Sequence, residues 1–199
     1  MIIKNATFIT SAASKRQFIE PNKPMIAVCG KSNVGKSSLI NRLAGQNKLA
    51  KTSAAPGRTR LVNYFDFGEF ILADLPGYGY AKVSKAEKDK WTKTLDDFFA
   101  DKESISHVFL LVDIRHEPGE LDRQMTEYLH FHTIPFSAIA TKSDKLSRAQ
   151  QKAAVRIVAA GLKLGEGNIL PFSSQTGAGK DELLSLLDVI VERAKAESL

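Results

Sequence analysis

At 199 residues the chain has room for one domain with a full core, or barely two small ones, and its make-up is that of a globular protein: 43% hydrophobic and 25% charged. Its longest apolar run, Val108 to Val112, stops at Asp113, far short of a membrane span, and no secretory apolar stretch precedes a small-residue cleavage site near Met1. One cysteine, Cys29, excludes an internal disulfide framework and fits a reducing cytosol, while a formal charge of +6 favours polyanionic partners without requiring one. The expectation is a cytoplasmic protein with no membrane partner, acting as a monomer.

Residues 1–23 read as an N-terminal arm that packs on the domain at a sheet edge, with a short strand open around Ala6–Thr10. Residues 24–199 read as one domain. Pro24–Cys29 is an apolar run of strand length. Directly after it, Gly30, Lys31, Ser32, Asn33, Val34, Gly35, Lys36 and Ser37 fit G-x-x-x-x-G-K-[ST], the phosphate-binding loop. Its two glycines let the backbone curl so that successive N–H groups face phosphate oxygens; Lys36 adds a point charge and the Ser37 hydroxyl a ligand for Mg²⁺. Ser38 opens a helix that carries Leu39, Ile40 and Leu43 on one face and stops at Gly45. Strand, glycine loop and helix N-terminus together make an anion site.

From Gln46 to Arg60 the periodicity fails, and Lys48, Lys51, Arg58 and Arg60 stand there without an acid. Leu61–Phe67 and Phe70–Asp74 flank Gly68-Glu69 and read as a hairpin. Ser84 and Glu87 form a capping box for a helix to about Lys102, with Trp91, Leu95, Phe98 and Phe99 inward. His107–Asp113 is the near-continuous apolar run of a strand covered on both faces. Helix Glu120–His132, strand Pro135–Ala140, a helix from Ser147 to near Gly161, strand Asn168–Phe172 and helix Asp181–Ala196 complete the chain. Strands alternating with helices of these lengths imply a layered α/β domain with a mostly parallel sheet. Ligands of such folds sit beyond the C-terminal strand ends, where these loops fall.

Three of those loops name the ligand. Asp74, Leu75, Pro76 and Gly77 form D-x-x-G after a strand: the aspartate can hold Mg²⁺ through water, and the Gly77 N–H can meet a γ-phosphate. Thr141, Lys142, Ser143 and Asp144 fit [NT]-K-x-D. A carboxylate there accepts from the ring N–H and the exocyclic amine of guanine together, a pair that adenine lacks, so GTP and GDP are the expected nucleotides. Ser173, Ser174 and Gln175 follow the last strand, where a backbone amide can meet the guanine carbonyl oxygen. Gly57, Arg58, Thr59, Arg60 and Leu61 supply the mobile loop, with Thr59 as the second Mg²⁺ hydroxyl and Thr52 as runner-up. The metal set is thus Ser37, Thr59 and Asp74, and the residues acting on the reacting phosphate are Lys36, Thr59 and Gly77. Arg115, His116 and Asp122 are tempting catalytic groups, but a lone histidine after a strand reads as a surface or packing residue.

With Gly30–Ser37, Pro56–Arg60, Asp74–Tyr80 and Asp113-Ile114-Arg115-His116 in order, the chain resembles the EngB (YihA/YsxC) family of bacterial GTPases along nearly its whole length. The resemblance implies a single three-layer α/β P-loop NTPase of the Ras-like G-domain kind, its mostly parallel sheet six-stranded with one antiparallel edge strand and helices on both faces. It also implies Mg²⁺-dependent GTP binding and a role in large-ribosomal-subunit assembly linked to cell division and septation. The partner it implies is the large subunit or its precursor, through rRNA or ribosomal protein. Where many GTPases carry a water-orienting glutamine, this chain has Tyr78, so slow intrinsic hydrolysis stimulated by a partner or a cation is expected. Asn33 stands where similar TrmE-like GTPases help to bind K⁺; a phosphate-loop turn former is the other reading of it. Against the switch stand a self-sufficient P-loop hydrolase or kinase, for which no arginine-rich lid is found, and an RNA-binding module with a vestigial nucleotide site.

Overall fold

The computed structural model describes residues 1–50, 61–79 and 85–197, without the side chains of 85–91. Seven strands and five α-helices alternate. The strands are β1 Thr7–Ala12, β2 Met25–Gly30, β3 Val62–Asp66, β4 Ile71–Asp74, β5 Ile105–Asp113, β6 Phe136–Thr141 and β7 Ile169–Pro171. The helices are α1 Lys36–Ala44, α2 Lys85–Phe99, α3 Glu120–Phe131, α4 Arg148–Leu162 and α5 Lys180–Glu197. One sheet takes the order β1-β3-β4-β2-β5-β6-β7. β4, β2, β5, β6 and β7 run parallel, whereas β3 is antiparallel to both β4 and β1. The α/β layering is as expected; the sheet has seven strands rather than six because Thr7–Ala12 pairs along β3 and becomes the outer edge.

Period-two alternation divides the central strands between two cores. Ile26 and Val28 of β2 face Leu39, Leu43, Leu183 and Leu187 of α1 and α5. Ala27 and Cys29 face the other way, among Leu95 and Phe98 of α2, Met125 and Leu129 of α3 and Val158 of α4. Both sets are fully buried, which is why β2 and β5 read as continuous apolar runs. Burial pushes the Cys29 thiol up to about 12, so it is an inert core side chain.

The turns that matter most stand at the C-terminal strand ends. Gly30, with φ +152°, closes β2 so near β5 that a Cβ would lie 2.7 Å from the Leu111 carbonyl oxygen. Gly35 (φ +115°) precedes the first residue of α1, and Gly45 (φ +65°) ends that helix by taking the Arg42 and Asn41 carbonyls. The β3–β4 turn closes at Gly68 (φ +86°), with the Phe67 N–H donating to the Phe70 carbonyl at 3.0 Å. α2 ends at Phe99, short of the Lys102 expected, and the chain re-enters the sheet at Ile105. The Ser84 cap lies outside the described residues.

Candidate nucleotide site

The loops after β2, β4, β5, β6 and β7 meet above one end of the sheet. The phosphate loop is tied down from two sides. From the β6 side, the buried Thr141 hydroxyl lies 2.7 Å from the Val34 carbonyl oxygen and 3.0 Å from that of Val112. Lys142, in the left-handed region at φ +63°, donates from Nζ to the Asn33 carbonyl (3.1 Å) and to Asp113 Oδ2 (2.9 Å). Its stem therefore spans from the loop after β6 to the loop after β2. From the β4 side, the Ser32 N–H donates to the Tyr78 carbonyl at 2.8 Å and the Tyr78 N–H to the Gly30 carbonyl at 3.3 Å.

Between these ties the loop has the curled backbone an anion cradle needs. Asn33 (φ +64°) and Gly35 take left-handed angles, Val34 is buried, and Lys36, Ser37 and Ser38 form the first turn of α1. Gly77 lies against this turn: a Cβ on it would stand 3.0 Å from Lys36 Nζ and 3.1 Å from the Ser32 nitrogen. Leu75 is buried and donates its N–H to Val28, which fixes the D-x-x-G segment at the end of β4.

Asp74, 8% exposed, has one carboxylate oxygen, Oδ1, that is buried without a hydrogen-bond partner among the described residues. Burial raises its carboxyl to about 6, against the opposing pull of Lys36 and a hydrogen bond from the Asn63 side chain. A buried carboxylate oxygen without a partner among the described residues, near Lys36 and the start of α1, is the donor a hard divalent cation takes. No trio of His, Cys, Asp or Glu able to hold a metal occurs among the described residues. A metal here would therefore rest on hydroxyl, carboxylate, water and phosphate oxygens, which is the preference of Mg²⁺. The residues present fit that ion.

Asp144 stands at the β6 loop with a side chain only 12% exposed. The fully buried Ser173 donates its hydroxyl to Asp144 Oδ1 at 2.7 Å, and that bond leads the effects holding the carboxyl below its usual value. Lys145 pairs with Oδ2 at 3.2 Å and reaches Gln175 Oε1 at 3.4 Å, which brings the β6 and β7 loops together. Ser143 is buried, its N–H donating to the Phe172 carbonyl, and Ser174 stands half-buried beside Gln175. Leu61 precedes β3. Gly57, Arg58, Thr59 and Arg60, and the alternative Thr52, lie outside the described residues.

Three groups near the candidate site make contacts that the sequence did not foretell. Asp113 is the last residue of β5; burial works against its charge, but hydrogen bonds from Arg115 (2.7 and 2.9 Å) and Lys142 outweigh this and hold it well below the carboxylate range. An acid at the end of an otherwise apolar strand was its signal. Arg42 of α1 lies under the β7 loop, where Gly177 (φ +87°) leaves no side chain to collide with the guanidinium. Tyr78 is the third: it is 3% exposed, packs in the core with Cys29 and Met125, and donates its hydroxyl to Asp122 at 2.8 Å. His116 is exposed, as expected of a surface residue.

A Ras-like sheet with a phosphate loop, D-x-x-G and a guanine-type reader at adjoining strand ends defines a P-loop GTPase. The family model described as 50S ribosome-binding GTPase matches residues 25–142. The probable GTP-binding protein EngB of Pelotomaculum thermopropionicum is 45% identical over 189 residues, spanning 94% of this chain and 96% of the relative. That of Clostridium beijerinckii is 49% identical over the same spans. The chain belongs to the EngB family. Among solved structures, that of a probable GTP-binding protein EngB superposes with a TM-score of 0.72 at 23% identity, over 85% of this chain and 99% of that one. Era in complex with MgGDPNP and a piece of 16S ribosomal RNA follows at 0.62 and 23%, over 84% of this chain and 56% of that one. At these identities both speak for the fold alone.

Proposed function

We propose that the chain binds GTP and GDP with Mg²⁺, hydrolyses GTP slowly, and works in the cytoplasm as a monomeric switch in large-subunit assembly, on which normal septation depends. The observation that carries the nucleotide reading is the buried Oδ1 of Asp74, without a partner among the described residues, at the same end of the sheet as Lys36, Gly77 and the phosphate loop. The ribosomal partner is supported by the matched family's description and by the cationic residues 46–60; it would engage phosphates and so weaken with salt.

In this reading the loop amides from Asn33 to Ser38 hold the phosphate chain and Lys36 neutralises its far end. Asp144 and the amide after Ser173 read the base, and the Lys142 stem covers it. Ser37, Thr59 and Asp74 would hold Mg²⁺, which supplies charge neutralisation and orientation of the phosphates. Gly57 to Leu61 would close over them, Thr59 reporting the third phosphate. Tyr78 is turned into the core, so this chain positions no water with it, and slow intrinsic turnover follows. A K⁺ ion held near Asn33, or a partner's group, would then supply the missing charge. A self-sufficient hydrolase would need a water-positioning group at Tyr78, and that side chain points elsewhere.

The test is binding of GTP, GDP and ATP to the full chain with Mg²⁺, repeated on Asp144→Asn with xanthine nucleotides. Guanine nucleotides without ATP, and a switch toward xanthine nucleotides in the variant, are expected; equal binding of ATP would overturn the base-reading assignment. Co-sedimentation with the large subunit in a non-hydrolysable GTP analogue, against GDP, then tests the partner. Turnover in K⁺ against Na⁺ tests Asn33, and equal rates would remove it.

A further inference from the structure

One buried carboxylate ties together the phosphate loop, the D-x-x-G segment and α3. Asp122 stands in the first turn of α3 with its side chain 5% exposed. Its Oδ2 accepts the Gly119 N–H at 2.8 Å, half of a capping box that glycine has no side chain to complete. The same oxygen pairs with Lys31 Nζ of the phosphate loop at 3.0 Å. Its Oδ1 accepts the Tyr78 hydroxyl at 2.8 Å. Lys31 and Tyr78 are themselves joined as a parallel backbone bridge, extended by the bond from the Ser32 N–H to the Tyr78 carbonyl. Gly119 matters to this arrangement, because a Cβ there would collide with the Lys31 ammonium.

We infer that Asp122 and Tyr78 are positioning residues that hold Gly77 at the far end of the phosphate loop, so that they govern recognition of the third phosphate and not of the first two. This rests on the nucleotide reading above. The geometry divides the loop into two halves. The base-reading side meets it at Asn33–Gly35 through Lys142 and Thr141. The Tyr78 side meets it at Gly30–Ser32 and sets Gly77 beside Lys36. A nucleotide read by Asp144 lays its last phosphate toward that second half. The Tyr78–Asp122 bond is buried and charge-assisted, hence among the stronger kinds, whereas the Ser32 hydroxyl meets the Gly77 carbonyl only at a long 3.5 Å. Asp122 touches no reacting atom; it acts through Tyr78 and Lys31.

The experiment compares MgGDP and a non-hydrolysable MgGTP analogue by calorimetry on the full chain, for wild type, Tyr78→Phe, Asp122→Asn, Gly119→Ala and the Tyr78→Phe/Asp122→Asn pair. Tyr78→Phe keeps the buried ring and serves even where Asp122→Asn loosens the cap of α3. Affinity for the analogue is expected to fall about tenfold in Tyr78→Phe and in Asp122→Asn, with GDP within about twofold. The pair should lose less than the product of the two single losses, because Asp122→Asn weakens, by loss of charge, the same acceptor whose bond Tyr78→Phe removes. Gly119→Ala, which displaces only the Lys31 ammonium, should show a smaller loss of the same selectivity. Equal loss of both nucleotides in Tyr78→Phe would mean plain structural support and would overturn the inference, as would no change in either. Wild-type protein that bound neither guanine nucleotide would instead overturn the reading of the site itself.

Discussion

His107 on β5 shows how burial turns one side chain into a pH-dependent term. It is packed edge-on to Phe109 at 5.2 Å and its Nε2 lies 3.0 Å from the Ser137 hydroxyl. Burial, with a further push from Arg193 of α5, lowers its titration from 6.5 to about 4. Between those values the unfolded chain binds the proton and the folded one does not, so stability rises with pH across that window. The contribution is complete above about pH 6.5 and is lost as pH falls through 4; at its largest it is about 3 kcal/mol. Urea titrations from pH 4 to 7 should show this slope, and His107→Gln should flatten it; an unchanged slope would place the acid sensitivity elsewhere.

At the scale of elements, the buried tie between the β6 end and the phosphate loop is the Thr141 hydroxyl, next to the more exposed bond from Lys142 to Asn33. Thr141 reaches the carbonyls of both Val34 and Val112 from a buried position, 3% exposed. Thr141→Val keeps the volume and removes the donor to the Val34 carbonyl, at a cost of about 1–3 kcal/mol in urea unfolding. Because this tie holds the loop at its base-proximal half, GTP and GDP affinity should fall together, unlike the selective loss expected for Tyr78→Phe. A selective loss of GTP binding in Thr141→Val would show that the two halves of the loop are not independent. The elements themselves were largely legible in advance: the strand–loop–helix from Met25 to Ala44, the hairpin at Gly68 and the capped helix at Ser147 fall within a residue or two of the expected bounds. These are short-range signals, carried by apolar period, glycine turns and caps. The bond between Tyr78 and Asp122 joins residues 44 apart in sequence, and no local pattern announces it.

Across the whole molecule, β1 is the joint between the N-terminal residues and the site. It covers the outer edge of β3, and the Ser11 hydroxyl donates to Asn63 Oδ1 at 2.7 Å, which leaves the Asn63 amide to face Asp74. Gln46, after α1, donates to the Ala6 carbonyl at 2.7 Å. Removing residues 1–12 would bare the β3 edge and free Asn63 to turn from Asp74. The expected outcome is a loss of a few kcal/mol in urea unfolding, on the scale of about 5–15 kcal/mol for a whole domain, and concentration-dependent light scattering from edge-to-edge pairing. A truncated chain as stable and as monodisperse as the full one would mean that β1 is dispensable to the sheet.

The sequence by itself determined the α/β layering, the order of most elements and the residue types at the candidate nucleotide site, because each is written in contiguous stretches: Gly30–Ser37, Asp74–Gly77, Thr141–Asp144. Tertiary structure alone decided which side chains hold those stretches in place. Whether the first residues joined the sheet depended on β3 offering a free edge with Asn63 opposite Ser11. Whether Tyr78 faced the phosphates or the core depended on Asp122 arriving with α3. Whether Asp113 served Lys142 or merely ended a strand depended on β5 and β6 being parallel neighbours, their ends at Asp113 and Thr141 in register. A buried polar group must find a partner. Local sequence states that a partner is needed, and the long-range fold supplies it.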